Sequence, residues 1–263
     1  MRKGLLISLL AVSVFFSFGC SKGQIVNISG STSVEPLSQE LAAAFMAKHP
    51  KITVNVAAGG SSAGIKAARE GASDIGASSR DLKPTETGLN KFVIAYDGIA
   101  VIINKDNPVA NLSVDQVKAI YEGTITNWSE LGGHNAQIVV VDRDAASGTR
   151  GAFVEMVMDN NDTIIKTAIV QDGGGGVRNT VAGNPAAIGY ISIASVDNTI
   201  RALKINGIEA TIANVANKTY PIFRPFIYVT KNAPVGAVKQ FIDFVLSAEG
   251  QKIVEASGLV PVK

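Results

Sequence analysis

Cysteine occurs once in the 263-residue chain, histidine twice and tryptophan once. The lone Cys20 excludes an internal disulfide framework and any cysteine-based zinc site. His49 and His134 each stand beside a turn residue, Pro50 and Gly133, read as surface positions, and have no spacing suited to a metal centre. A Ser-His-Asp hydrolase would have to recruit one of them. The G-x-S-x-G turn that presents a serine nucleophile is also missing, since Ala145 occupies the place of its first glycine. No cofactor is expected. An excess of charge is lacking too: without Arg2 and Lys3, the 24 basic residues become 24 − 2 = 22, against 22 acidic ones. A formally neutral chain does not fit sequence-independent binding of nucleic acid, which needs a basic surplus on one face.

Long apolar runs are nearly absent. The one from Leu5 to Phe16 follows Met1-Arg2-Lys3 and leads into Ser17-Phe18-Gly19-Cys20. It is shorter than the roughly 18 residues of a spanning helix, so residues 1–19 are expected to be a signal peptide. Cys20, followed by Ser21-Lys22-Gly23, resembles the bacterial lipobox, in which that cysteine is acylated and becomes the new N-terminus. Ser17 departs from the aliphatic residue usual there, and Ser17-x-Gly19 also suits ordinary signal peptidase. A free thiol is unusual outside the cell, which favours lipidation. The protein is therefore expected to be exported, periplasmic or at the cell surface, and held to the membrane by a lipid on Cys20.

What is present is a repeated strand, loop and helix. Gln24 to Ser29 alternates as a strand, Gly30-Ser31-Thr32-Ser33 breaks it, and Leu37, Leu41, Ala44 and Phe45 follow at helical spacing until Pro50. Ile52 to Val56 leads through Gly59 to Gly64 into a helix with Ile65 and Ala68. Ile138 to Val141 leads through Asp142 to Ser147 into a helix with Phe153 and Met156. Such alternation predicts an α/β fold with largely parallel sheets, whose ligands bind beyond the carboxyl ends of the strands. Removing the signal peptide leaves 263 − 19 = 244 residues, a size at which cores divide into lobes. Asp97-Gly98 separates two apolar runs and marks a crossing between lobes, with a return near Pro221 to Phe226. A strand is predicted around Ala202 to Ile205. Gly173 to Gly176 reads as a turn feeding a helix at Val177, because the lysine and Ser/Thr of a P-loop do not follow. Trp128, amid Asn127, Ser129 and Glu130, is expected to pack a loop onto the second lobe.

The loops carry the chemistry. Thr32, Ser33, Ser61, Ser62, Ser78, Ser79, Ser147 and Thr149 offer hydroxyl donors, and the helix starts beside them offer backbone N–H groups with no intrahelical partner. Arg80 and Arg143 add planar guanidinium forks suited to a tetrahedral oxyanion. For any one loop the simpler alternative is that its serine or threonine merely caps the helix that follows. Three loops in equivalent places favour a shared anion site.

Gly30-Ser31-Thr32-Ser33-Val34, Gly60-Ser61-Ser62-Ala63-Gly64, Ile75-Gly76-Ala77-Ser78-Ser79-Arg80, Asn127-Trp128-Ser129-Glu130-Leu131, Arg143-Asp144-Ala145-Ala146-Ser147-Gly148-Thr149-Arg150 and Ile188-Gly189-Tyr190 follow the order seen in PstS-like phosphate-binding proteins. The resemblance spans essentially the whole chain after the signal peptide. It implies a type II periplasmic-binding-protein fold, two α/β lobes with a ligand cleft between them: a discontinuous lobe I of residues 24–97 plus 223–263 and an inserted lobe II of residues 98–222. It also implies delivery of inorganic phosphate to the membrane subunits of an ABC permease by a monomer. Carried over by position, the ligand contacts are the hydroxyl of Thr32, the amide of Ser33, Ser61, the guanidinium of Arg143, the hydroxyls of Ser147 and Thr149, and the amide of Gly148. Ser79 and Arg80 complete the expected set. One departure stands out: enteric-type members have an aspartate after G-A-S, which accepts the proton of bound phosphate and repels sulfate, whereas Ser79 stands here. Asp81, Asp142 and Asp144 are the candidate replacements. Sulfate, molybdate or tungstate binding is the alternative within binding proteins, and a secreted phosphatase the enzymatic one.

Overall fold

The computed structural model describes residues 24–262. The expected signal peptide and Cys20 lie outside them. The elements run β1 (Gln24–Gly30), α1 (Glu35–Lys48), β2 (Ile52–Ala58), α2 (Ser61–Glu70), β3 (Ile75–Ser78), β4 (Asn90–Asn104), β5 (Asn111–Leu112), α3 (Val114–Tyr121), β6 (Val139–Arg143), α4 (Gly148–Met156), β7 (Ile169–Gln171), α5 (Gly174–Ala182), β8 (Ala187–Ser192), β9 (Ile200–Ala202), β10 (Lys204–Ile205), α6 (Ile212–Ala216), β11 (Phe223–Thr230), α7 (Gly236–Val245) and α8 (Ala248–Ala256). Strand alternation does what the sequence pattern dictates: Val26 and Ile28 of β1 are buried while Ile25 faces out. β1 lies parallel to β2 and β3, and β11 runs antiparallel between β3 and β4. Helix α1 buries Leu37, Leu41 and Phe45, and the Phe45 ring meets Phe241 of α7 edge-on at 5.3 Å.

The strand order is β2-β1-β3-β11-β4-β8-β6-β7, with β9 also on β4 and β5–β10 as a separate pair. Strand β4 is the pivot. Its first part, Asn90 to Gly98, pairs with β11; from Ile99 to Ile103 it pairs with β8. The chain therefore passes Asp97-Gly98, which lies between the two apolar runs, inside one unbroken strand, because both halves find ladder partners on either side of it. The packing divides accordingly into two lobes. One core gathers Val26, Phe45, Phe226, Tyr228 and Phe241; another gathers Val101, Tyr121, Trp128, Phe153 and Tyr190. Trp128 is buried as expected, and its indole N–H donates to the Ala186 carbonyl at 2.8 Å.

Two local expectations are corrected. The strand around Ala202 to Ile205 is two short strands, β9 on β4 and β10 on β5, since Leu203 turns its amide to the Val101 carbonyl while Lys204 turns to Ala110. Helix α5 starts at Gly174, not Val177, so three of the four glycines form its first turn.

Candidate functional site

The loops after β1, β2, β3 and β6 converge where the lobes meet. Ser33 Oγ and Thr149 Oγ1 share a hydrogen bond of 2.9 Å, Arg143 Nη2 donates to Thr32 Oγ1 at 3.2 Å, and the Ser62 amide donates to the Ala146 carbonyl at 3.1 Å. All three bonds join residues far apart in sequence, so the loop after β6 closes onto the loops after β1 and β2. Thr32 and Ser33 are half-buried; Ser61, Ser79, Ser147, Gly148 and Thr149 are buried.

Capping accounts for only one of these hydroxyls. Ser147 accepts from the Arg150 amide at 3.2 Å and caps α4. The positions flanking the other two helices are Val34 before α1 and Gly60 before α2, and neither helix has a side-chain cap. Thr32, Ser33 and Ser61 are thus held at the lobe boundary for something other than helix termination. A relay connects Ser33 and Ser61 beneath: the Ser33 amide donates to Ser31 Oγ at 3.2 Å, Ser31 Oγ donates to Ser79 Oγ at 2.8 Å, and the Ser79 amide donates to Ser61 Oγ at 3.1 Å. Because Ser79 Oγ already accepts from Ser31, its own proton is left to donate onward. Ser31 was not among the expected contacts, although it sits inside the Gly30 to Ser33 loop. The Ser33 amide, expected to face a ligand, is turned to Ser31 instead.

Close approach requires glycine at two places. A Cβ on Gly148 would lie 2.0 Å from Ser61 Oγ and 2.6 Å from Ser79 Oγ, so only a bare backbone lets the start of α4 seat against both serines. Gly60, at φ 88°, adopts a left-handed conformation, and a Cβ there would stand 2.8 Å from the Ala146 carbonyl. The first-turn amides of α4, beginning at Gly148, have no intrahelical acceptor and favour negative charge before them.

The two expected arginines separate. Arg143 is buried, with Nε on the Gln171 carbonyl at 3.0 Å and Nη2 on the Asp172 carbonyl at 2.9 Å, which aim its fork toward Thr32. Arg80 is spent elsewhere: its two terminal nitrogens grip both carboxylate oxygens of Glu86 at 2.8 Å, and it also reaches the Asp81 carbonyl and Ser62 Oγ. The fork of Arg80, expected to contact the ligand, is here satisfied by a bidentate carboxylate. Glu86 carried no sequence signal beyond lying six residues on. Burial raises the Glu86 pKa, but the Arg80 fork and the Lys83 amide together bring it below its ordinary 4.5.

Of the candidate acceptor carboxylates, Asp81 pairs with Lys91 at 2.9 Å on the surface, and Asp142 is taken by Arg150 and by the Tyr190 hydroxyl. Burial, then the Asp142 charge, pushes Tyr190 well above the usual phenol range, which keeps it a donor. Asp144 is different. Its Oδ1 accepts from the Ala146 amide at 2.8 Å, while Oδ2 lies 3.5 Å from Arg143 Nη2 with only that weak contact. Among the described residues no group of His, Cys, Asp and Glu gathers that would hold a metal ion, and no helix is long and apolar enough to cross a membrane.

A family model described as a PBP superfamily domain matches residues 20–249. The phosphate-binding protein PstS of Bacillus subtilis (strain 168) is 35% identical over 243 residues, covering 90% of this chain and 80% of that protein. PstS of Borreliella burgdorferi is 30% identical over 280 residues, with 99% of both chains covered. A phosphate ABC transporter substrate-binding protein from Clostridium perfringens, solved with bound phosphate, is 49% identical with a TM-score of 0.89, covering 91% of this chain and 100% of that one. The two-lobed α/β fold is shared with the Clostridium perfringens protein, and the chain belongs to the PstS-like phosphate-binding proteins of the PBP superfamily.

Proposed function

We propose that the protein binds inorganic phosphate outside the cytoplasm and delivers it to the membrane subunits of an ABC-type importer, acting as a binding protein rather than an enzyme. The observation that carries this reading is the set of uncapped hydroxyls and the buried Arg143 brought together only where the lobes touch. Lobe I comprises residues 24–97 plus 223–263 and lobe II residues 98–222, a division supported by the change of β4 partner between Gly98 and Ile99. Thr32, Ser33 Oγ, Ser61 and Ser79 from lobe I and Arg143, Ser147, the Gly148 amide and Thr149 from lobe II hold the anion. Arg80 instead braces the segment to Glu86. Each charge-assisted hydrogen bond contributes about 1.5–3 kcal/mol, so a few suffice for the roughly 8 kcal/mol of micromolar binding. The anion bridges donors from both lobes and so favours the closed arrangement.

Export, attachment to the membrane through a lipid on Cys20, and action as a monomer complete the reading. Mass spectrometry of the mature N-terminus tests the lipid. Calorimetric titration with phosphate, sulfate and molybdate, beside a phosphatase assay on the same sample, tests the function. Saturable heat with phosphate and no hydrolysis is expected; no heat with any oxyanion rejects it.

A further inference from the structure

The strands that join the lobes carry a buried ion pair that the expected ligand set does not use. Arg224 of β11 stands opposite Asp97 of β4 in the antiparallel register, at the point where both strands pass between lobes. Its Nε and Nη2 donate to Asp97 Oδ2 at 3.1 and 2.9 Å, and Ser192 Oγ of β8 donates to Asp97 Oδ1 at 2.7 Å. Both side chains are 1% exposed. Asp97 is thereby satisfied from both lobes, but Arg224 Nη1 is buried and has no hydrogen-bond partner. An unsatisfied buried donor of a charged group is costly and calls for an explanation; Arg201 Nε is the other such atom among the described residues, on β9 opposite Ile103 and away from the Asp97-Gly98 crossing.

The charges nearby point the same way. Arg143 and Arg224 are both buried, and Asp97 is the one carboxylate matched to either at short range; the acceptors of Arg143 are otherwise carbonyls, a hydroxyl and the distant edge of Asp144. Burial lowers the Arg224 pKa, the Asp97 charge raises it, and the Arg143 charge lowers it again, so the two guanidinium groups lie near enough to repel. Arg224 has the buried Asp97 and Arg143 only the part-exposed Asp144 at 3.5 Å, so the two neighbouring cations are incompletely matched and leave a place for an anion between the lobes.

We propose that Arg224 is a further anion-binding residue: its Nη1 donates to the oxyanion held by Arg143, with Asp97 and Ser192 fixing the fork from below. This rests on the phosphate-binding reading. Asp97 then takes up one cationic charge and orients it, and the anion completes both the hydrogen bonds and the charge at the strands about which the lobes move.

The test uses the mature chain and a double substitution, D97N/R224Q, which keeps polar, hydrogen-bonding side chains at both positions and leaves neither charge alone. Phosphate affinity is measured by titration calorimetry and the melting temperature without phosphate by calorimetry. We expect the double variant to lose about tenfold or more in affinity at a temperature where it is folded; a smaller loss overturns the proposal and leaves the pair a structural element only. Should the variant not fold, side-chain proton exchange at Arg224 in the wild type decides: slower exchange of its Nη protons on adding phosphate supports the contact, and unchanged exchange overturns it. A wild type that gives no heat with phosphate rejects the phosphate reading and this inference together. A wild type that binds, beside a variant that binds equally, rejects this inference alone.

Discussion

Arg143 is the side chain on which the proposed site depends most, because its aim is fixed by two carbonyls at the end of β7, with the nearest carboxylate, Asp144, only at 3.5 Å. A guanidinium held by neutral acceptors keeps its full charge for a ligand. Arg143→Ala is therefore expected to lower phosphate affinity by about 100-fold, of the order of one strong charge-assisted hydrogen bond, with the melting temperature of the phosphate-free protein changed far less. Equal affinity in the variant would make Arg143 a structural brace. Discrimination between oxyanions belongs to this scale as well. With Ser79 accepting from Ser31 and donating onward, the hydroxyls supply donors, and Asp144 Oδ2 is the carboxylate oxygen closest to Arg143 among the three candidates. Asp144→Asn keeps an oxygen for the Ala146 amide but removes the charge that repels an unprotonated dianion. The phosphate-to-sulfate affinity ratio is expected to fall about tenfold by competition titration, and an unchanged ratio would remove Asp144 from selectivity.

Two elements set how closely the lobes approach. The start of α4 sits against Ser61 and Ser79 only because Gly148 has no Cβ. Alanine there favours the helix by up to about 1 kcal/mol, yet its methyl would stand within 2.8 Å of Ser61 Cβ as well as of the two hydroxyls. Gly148→Ala should thus leave the phosphate-free protein as stable or slightly more so, while weakening phosphate binding by about tenfold or more; a variant that binds normally would show that the lobes need not meet there. The segment from Arg80 to Glu86 is the other element. Since the folded Glu86 pKa lies below 4.5, its ion pair with Arg80 stabilises the protein fully above that value and is lost as pH falls through the lowered pKa. The melting temperature of the wild type should drop more steeply below pH 4.5 than that of Glu86→Gln, which lacks the titration. Parallel pH profiles would show that the brace adds nothing. None of this pairing was legible in the sequence, where Arg80 simply followed two serines. Short serine loops beside helix starts were legible, because strand and helix periods place them at strand ends whatever the tertiary contacts. The relay through Ser31 and the pairing of Asp97 with Arg224 were not, because strand register joins residues with no local pattern in common.

At the scale of the whole molecule, the lobes are connected by strands rather than by flexible loops, and the crossing at Asp97-Gly98 is continuous sheet. The sequence marked Asp97-Gly98 as a point of crossing without showing that β4 runs unbroken through it, since an Asp-Gly pair between apolar runs looks the same in a turn and in a strand that changes partners. Continuous strands limit the opening to a bend, so the energy of closure comes mainly from the facing loops. The three protein bonds between the facing loops are each worth about 1 kcal/mol net, too little to hold the loops together against the desolvation of Arg143 without a counter-anion. Phosphate should then act as the missing cross-link and stabilise the folded chain by mass action. At a free concentration about 100 times its dissociation constant, the gain is about 2.7 kcal/mol, or roughly 5–10 °C in melting temperature for a chain of this size. The shift is expected to grow with the logarithm of phosphate concentration in the wild type, to be largely absent in Arg143→Ala at the same concentration, and to accompany a contraction in small-angle scattering. A thermal shift without contraction would mean that the anion binds one lobe alone and that the other contributes no contact.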